Sequence, residues 1–157
     1  LKAKARPPST LEIEVVQRAA VAALAYGDDR MAVAGDGTIL EGTLTKGLPL
    51  VPVGVTPGGR TLAEPEALSM VALLAAAPAE LRERITDVDI GARGLIANVI
   101  DGPRLFFGPP FELPAKWAAA TRVLSDAAAR GAEYLDLRVP ERPAAGGLEP
   151  TNPLPTL

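Results

Sequence analysis

Histidine and cysteine are both missing from this sequence. Without His it lacks the commonest general base and the commonest metal ligand. Without Cys it has no disulfide and no thiolate metal site, and redox chemistry leaves no mark of its compartment. Aromatic residues make up only 4% of a chain that is 48% hydrophobic, so the core has to be built from Ala, Val, Leu and Ile. Neither sign of charge dominates: Lys and Arg number 16, Asp and Glu 19, the net charge is −3, and the two signs are interspersed. That gives no electrostatic footprint for nucleic acid. Long apolar runs are missing too. Met70 to Ala79 spans about ten residues and is broken by Pro78, whereas a membrane-spanning helix needs about 20. No signal peptide opens the chain. It begins at Leu1 rather than Met, which leads us to expect a fragment, with any membrane anchor lying upstream.

What is present suffices for one domain, or one plus a remnant, with a real core. After a basic and Pro-Pro start, Leu11 to Val16 alternates apolar and charged, the pattern of a half-buried strand. Ala19 to Tyr26 reads as a second strand and Met31 to Val33 as a third. Asp36-Gly37 then signals a hairpin before Thr38-Ile39-Leu40. Glu41 to Thr61 is rich in Gly and Pro and reads as a connector with one short extended piece. Pro65 suits the first residue of a helix that carries Leu68, Val71, Leu74 and Ala75 at helical spacing and stops at Pro78. Ala79 to Arg84 makes another short turn.

A meander follows. Ile85, Val88 and Ile90 define one strand, Leu95 to Ile100 the next, Asp101-Gly102 a tight turn, and Arg104 to Phe107 the third. A helix is expected from Leu113 to Arg130, with Leu113, Trp117, Ala120, Leu124 and Ala128 on one stripe and the three phenylalanines packed beside Trp117. Tyr134 to Val139 reads as the closing strand, free to run parallel to a neighbour or to lie at the sheet edge. From Pro140 onward five prolines fall in 18 residues, the composition of a disordered tail. The expected fold class is α+β: a mostly antiparallel sheet with two helices on one face.

The residues offer little chemistry. Asp87 and Asp89 share a strand face, as an acid/base pair or a hard-metal site would. The solvated face of a strand whose Val88 and Ile90 pack inward is the better explanation, because no third ligand follows at a useful spacing. Ser9, Ser69 and Ser125 lack a strained nucleophile turn and a histidine to activate them, leaving only lysine-assisted chemistry through Lys46 or Lys116. Gly35-Asp36-Gly37 and Gly58-Gly59-Arg60 lack the spacing of phosphate-binding loops. Asp136 and Arg138 face the same way, opposite Leu135, Leu137 and Val139. They would line either a charged outer face or an exposed edge that can template another chain's strand.

Several segments, taken in order, resemble the FtsQ/DivIB bacterial cell-division family. They are Pro8-Ser9-Thr10-Leu11-Glu12-Ile13-Glu14-Val15, Gln17 to Ala22, Asp36 to Leu40 and Leu48-Pro49-Leu50. Asp101-Gly102, Leu105-Phe106-Phe107-Gly108, Leu113 with Lys116, Val123-Leu124 and Leu135-Asp136-Leu137-Arg138 complete the series. Gln17, Ala20, Val139-Pro140 and Pro143 depart from the family pattern. The resemblance implies a non-enzymatic protein with no cofactor and no metal. It implies the end of a POTRA domain over residues 1–16, a β domain over 17–142, and a tail over 143–157. It also implies residence on the extracytoplasmic side of the plasma membrane, held by a single-pass anchor outside this chain. FtsB-like and FtsL-like division proteins would be the partners, bound through Tyr134, Asp136, Arg138, Val139, Ala144 and Ala145. The rival readings are a POTRA-type module of a secretion or outer-membrane assembly system, and a carboxylate-dependent hydrolase using Asp87 and Asp89.

Overall fold

The computed structural model describes residues 18–147. The expected strand at Leu11–Val16, and with it the POTRA remnant, lies outside those residues. Within them, β1 (Ala20–Tyr26) and β2 (Asp29–Ala34) form an antiparallel hairpin, and β3 (Ile39–Leu40) folds back onto β2. The short extended piece in the Gly/Pro connector is β4 (Leu50–Pro52), which lies parallel to β1. Helix α1 (Pro65–Ala75) and the single turn α2 (Ala79–Arg82) carry the chain across to β5 (Ile85–Gly91). β4 and β5 are parallel and meet in one registered pair, Leu50 with Asp87. β6 (Gly94–Val99) and β7 (Arg104–Gly108) complete the meander. Helix α3 (Leu113–Ser125) then crosses to β8 (Tyr134–Asp136), which lies parallel to β7, and β9 (Ala144–Gly146) closes the sheet antiparallel to β8. The nine strands run in the order β3-β2-β1-β4-β5-β6-β7-β8-β9. Parallel neighbours need a crossover connection, and α1 and α3 supply it at β4–β5 and β7–β8. The fold is α+β, with a sheet that is mostly antiparallel.

Both long helices pack on one face. Trp117 of α3 is 1% exposed; its indole Nε1–H donates to the Leu73 carbonyl of α1 at 2.9 Å, and its ring lies 4.5 Å from that of Phe107. Aliphatic side chains of every layer then merge into one cluster, including Leu24, Val51, Leu74, Val88, Leu105, Leu135 and Leu137. The expected packing of all three phenylalanines beside Trp117 holds only for Phe107. Phe106 alternates onto the opposite face of β7, and Phe111 is 55% exposed in the loop before α3. The spacing of Ile85 and Val88 breaks the two-residue period of a strand, and a bulge explains it. Ile85 pairs with Val99 and Asp87 with Asn98, so Thr86 is an extra residue and both Ile85 and Val88 point inward. Ile90, expected inside, is 36% exposed at the strand end.

Three boundaries differ from the sequence expectation. Helix α3 stops at Ser125, not Arg130, because Asp126 is extended (ψ 129°) and its carboxylate accepts from the Ala128 N–H at 2.9 Å, starting a separate 3-10 turn, Ala127–Ala129. Ala128 therefore leaves the buried stripe and is exposed. Strand β8 ends at Asp136, not Val139. The Asp136 carboxylate accepts from the Arg138 N–H at 3.1 Å and the Arg142 N–H donates to Val139 O at 2.9 Å, turning the chain. Val139, expected to face inward with Leu135 and Leu137, is 53% exposed in consequence. Finally, Ala144–Gly146, inside the stretch expected to be a tail, is strand β9.

Candidate protein-docking edge

The two ends of the sheet are finished differently. At the β3 end a further segment covers the edge: Ile39 N–H donates to Arg60 O at 2.8 Å, Leu62 N–H to Gly37 O at 2.8 Å, and Thr38 bridges Thr61. At the other end β9 is last in order, and among the described residues no strand pairs with its outer side. The closing strand read from the sequence is thus second from the edge, and Ala144 to Gly146 form the edge itself. Backbone directions follow from β8. Glu133 O accepts from Arg104 N–H, and Leu137 N–H donates to Phe106 O, so the odd residues of β8 face β7. Tyr134 and Asp136 then direct their polar groups to their partners Gly146 and Ala144, and the alternation turns the N–H and C=O of Ala145 outward.

On the face away from the helices the register lines up two rows. Asp89, Ile96, Phe106, Asp136 and Ala144 form one; Asp87, Asn98, Arg104, Tyr134 and Gly146 form the other. The Phe106 and Tyr134 rings meet edge-on at 5.7 Å, and the Arg93 and Arg104 guanidinium groups lie 5.6 and 5.5 Å from the Phe106 ring centre. Tyr134 also covers Gly146 closely: a Cβ there would run into the tyrosine ring, so only glycine lets β9 lie this close against β8. Of the six candidate residues, Tyr134, Asp136 and Ala144 share this open face. Ala145 packs toward the core, while Arg138 and Val139 lie just past the end of β8.

Arg138 is not a free cation. Its Nε donates to both Asp136 oxygens at 2.9 and 3.1 Å, and its Nη2 donates to Oδ2 at 2.6 Å, a two-pronged pair. Those bonds hold the Asp136 carboxyl below its ordinary value, with Arg93 adding to the effect, and hold Arg138 above its own. A second depressed carboxyl, Asp36, is pulled to about 2 by the Thr38 N–H at 2.9 Å and by Arg18 at 2.8 Å. A carboxyl depressed in the folded state stabilises the fold above its unfolded value, near 4, and that contribution disappears as pH falls through the lowered one. We therefore expect the denaturation midpoint to drop between about pH 5 and about pH 2, and to drop less in an Asp36→Asn, Asp136→Asn double variant. Equal losses in the two proteins would contradict this assignment.

The other candidates are committed to local bonds. Asp87 accepts from Asn98 Nδ2 at 2.6 Å and Thr86 Oγ1 at 2.7 Å, and Asp89 from the Ile90 N–H at 2.7 Å. Among the described residues no cluster of three His, Cys, Asp or Glu could hold a metal. Ser69 and Ser125 donate to carbonyls four residues back, and Ser9 lies outside the described residues. Lys116 is fully buried: its Nζ donates to Pro109 O at 3.0 Å and sits 4.3 Å from the Phe111 ring centre. Burial lowers its pKa, partly opposed by Glu112. It ties the loop before α3 to the helix. Sequence reasoning missed β9, because Ala-Ala-Gly between prolines carries no period. It also missed the Phe106–Tyr134 contact, which alternation along β7 and β8 would have revealed once the two strands were paired.

With this geometry in place, the comparison with known families is specific. The model of the cell division protein FtsQ/DivIB C-terminal domain matches residues 22–138, most of the chain. The protein belongs to the FtsQ/DivIB family and is a cell-division protein. No curated protein matches it. Among the described residues no helix is long and apolar enough to cross a membrane.

Proposed function

We propose that the chain is a non-enzymatic divisome scaffold that receives a partner strand along the outer side of β9. The observation that carries this reading is the asymmetry of the sheet: the β3 end is sealed by Arg60–Leu62, and the β9 end is not sealed by any described residue. Strand addition draws affinity from main-chain hydrogen bonds, and Ala145 has the outward pair. Side chains around the strand supply selectivity. Arg138 and Arg142 line a surface cleft of about 250 Å³ with Asp136, Val139 and Ala144. Asp136 engages only part of the Arg138 guanidinium, so a carboxylate on the incoming strand suits this cleft.

The partners we infer are FtsB-like and FtsL-like division proteins, the setting is the extracytoplasmic side of the plasma membrane, and residues 1–16 are the end of a POTRA-like domain. These inferences rest on family membership and on the N-terminal motifs. The β domain runs from about residue 17 to the end of β9.

Ala145→Pro tests the edge. Proline removes one outward N–H yet is tolerated in edge strands, and the β8–β9 ladder runs through Ala144 and Gly146. Affinity for the FtsB-like protein of the same organism, measured by calorimetry, is expected to fall about tenfold or more, at least about 1.4 kcal/mol. The near-ultraviolet signal of Trp117 should be unchanged. Undiminished binding by a folded Ala145→Pro protein would refute docking at β9.

A further inference from the structure

We propose that Gly94 and Gly108 are positioning residues for Arg138: having no side chains, they let its stem lie on the end of β7 and so aim its guanidinium at Asp136 and the docking cleft. The inference rests on the docking reading for its purpose, but its geometry stands apart from it. Three strand ends stack here. A Cβ on Gly94, at the start of β6, would lie 2.5 Å from the carbonyl carbon of Gly108 and 2.7 Å from its Cα, so the two backbones touch directly. A Cβ on Gly108, at the end of β7, would lie 2.9 Å from Cγ and 3.3 Å from Cδ of Arg138. Those are stem atoms, so the arginine could clear an added Cβ only by changing rotamer, which would carry its guanidinium away from Asp136.

The backbone conformation agrees. Gly94 has φ +91° and Gly108 φ +70°, which L residues other than Asn and Asp adopt at a cost. A bulge delivers Gly108 to this place: Leu95 pairs with Gly108 and Ile96 with Phe106, leaving Phe107 as the extra residue. Residue 108 thus turns under Arg138 while Phe107 keeps its contact with Trp117. From above, the guanidinium is oriented by the two-pronged bond to Asp136, and the other charge acting on that carboxylate is Arg93, from the β5–β6 turn. Arg138 is therefore located from both sides, by bare backbone below and a carboxylate beside it, before any partner arrives. A long side chain held in advance gives up less rotamer freedom on binding.

Gly108→Asn separates this role from simple packing, because Asn tolerates the left-handed conformation while adding a Cβ under the arginine. Gly108→Ala serves if that variant does not fold, and Gly58→Asn, at a site with open space around it, is the control. Two quantities are measured in the 157-residue chain: the Asp136 titration midpoint by carboxyl carbon NMR, and affinity for the FtsB-like protein. Arg138→Gln sets the reference for a lost pair. The expected result is that Gly108→Asn raises the Asp136 midpoint to that of Arg138→Gln and weakens binding by the same factor, with the control unchanged. An Asp136 midpoint that stays at the parent value in Gly108→Asn overturns the positioning role, whatever the affinity does. A raised midpoint with undiminished affinity in both Gly108→Asn and Arg138→Gln leaves the platform standing and removes Arg138 from docking.

Discussion

Trp117→Ala should cost about 3–5 kcal/mol, the range for emptying a buried aromatic site, and lower the melting temperature by about 10–15 °C. Three losses coincide. The ring is 1% exposed and is the largest fully buried side chain, in a core otherwise made mostly of aliphatic residues too small to refill the space. Its contact with Phe107 at 4.5 Å disappears. Its N–H also satisfies a carbonyl that the helix leaves open. Leu73 lies in the last turn of α1, where helical acceptors lose their donors; Ala76 N–H goes to Ala72 O and Ala77 N–H to Leu74 O. Trp117→Phe keeps most of the volume and drops only the hydrogen bond, for about 1–3 kcal/mol. Chemical denaturation of the two variants distinguishes the contributions. A loss below about 1 kcal/mol for Trp117→Ala would mean that α1 and α3 are not joined as described.

Gly94→Ala is expected to be nearly as severe, although it adds a single methyl group. The methyl would meet backbone at 2.5 to 2.7 Å, and φ is +91°. Left-handed geometry costs an L residue about 1–2 kcal/mol, and overpacking against atoms that cannot rotate away adds about 1–3. The sum is about 3 kcal/mol, read from denaturant midpoints beside a Gly58→Ala control that should stay within about 0.5 kcal/mol. Gly94→Ala matching its control would show that the β5–β6 turn yields freely, and would weaken the stacking argument for Arg138 as well.

Much of the architecture is legible in the residue order. Pro65 and the apolar spacing behind it give α1, the alternation from Ala19 gives β1, and Asp101-Gly102 gives the β6–β7 turn. The gaps have physical causes. Strand β9 is Ala-Ala-Gly, held by backbone bonds and by the Tyr134 ring over Gly146, neither of which leaves a hydrophobic period. Asp126 ends α3 through a local side-chain bond that competes with the helix, a choice that stripe spacing does not register. Lys116 sits in the core because Pro109 O and the Phe111 ring receive its ammonium, partners that only the folded loop brings near. At the proposed docking edge the residue types are readable, but the pairing of Arg138 with Asp136 depends on the turn after β8.

The single registered pair between β4 and β5 has a mechanical meaning. Tension applied at the β9 border would travel through continuous ladders as far as β5 and there meet the weakest seam in the sheet. Beyond it, the load would pass through the shared core and through α1, which packs beneath strands on both sides. The helix acts as a splint across a near-break, so the half of the molecule that would grip a partner is coupled to the other half by packed side chains more than by strand pairing.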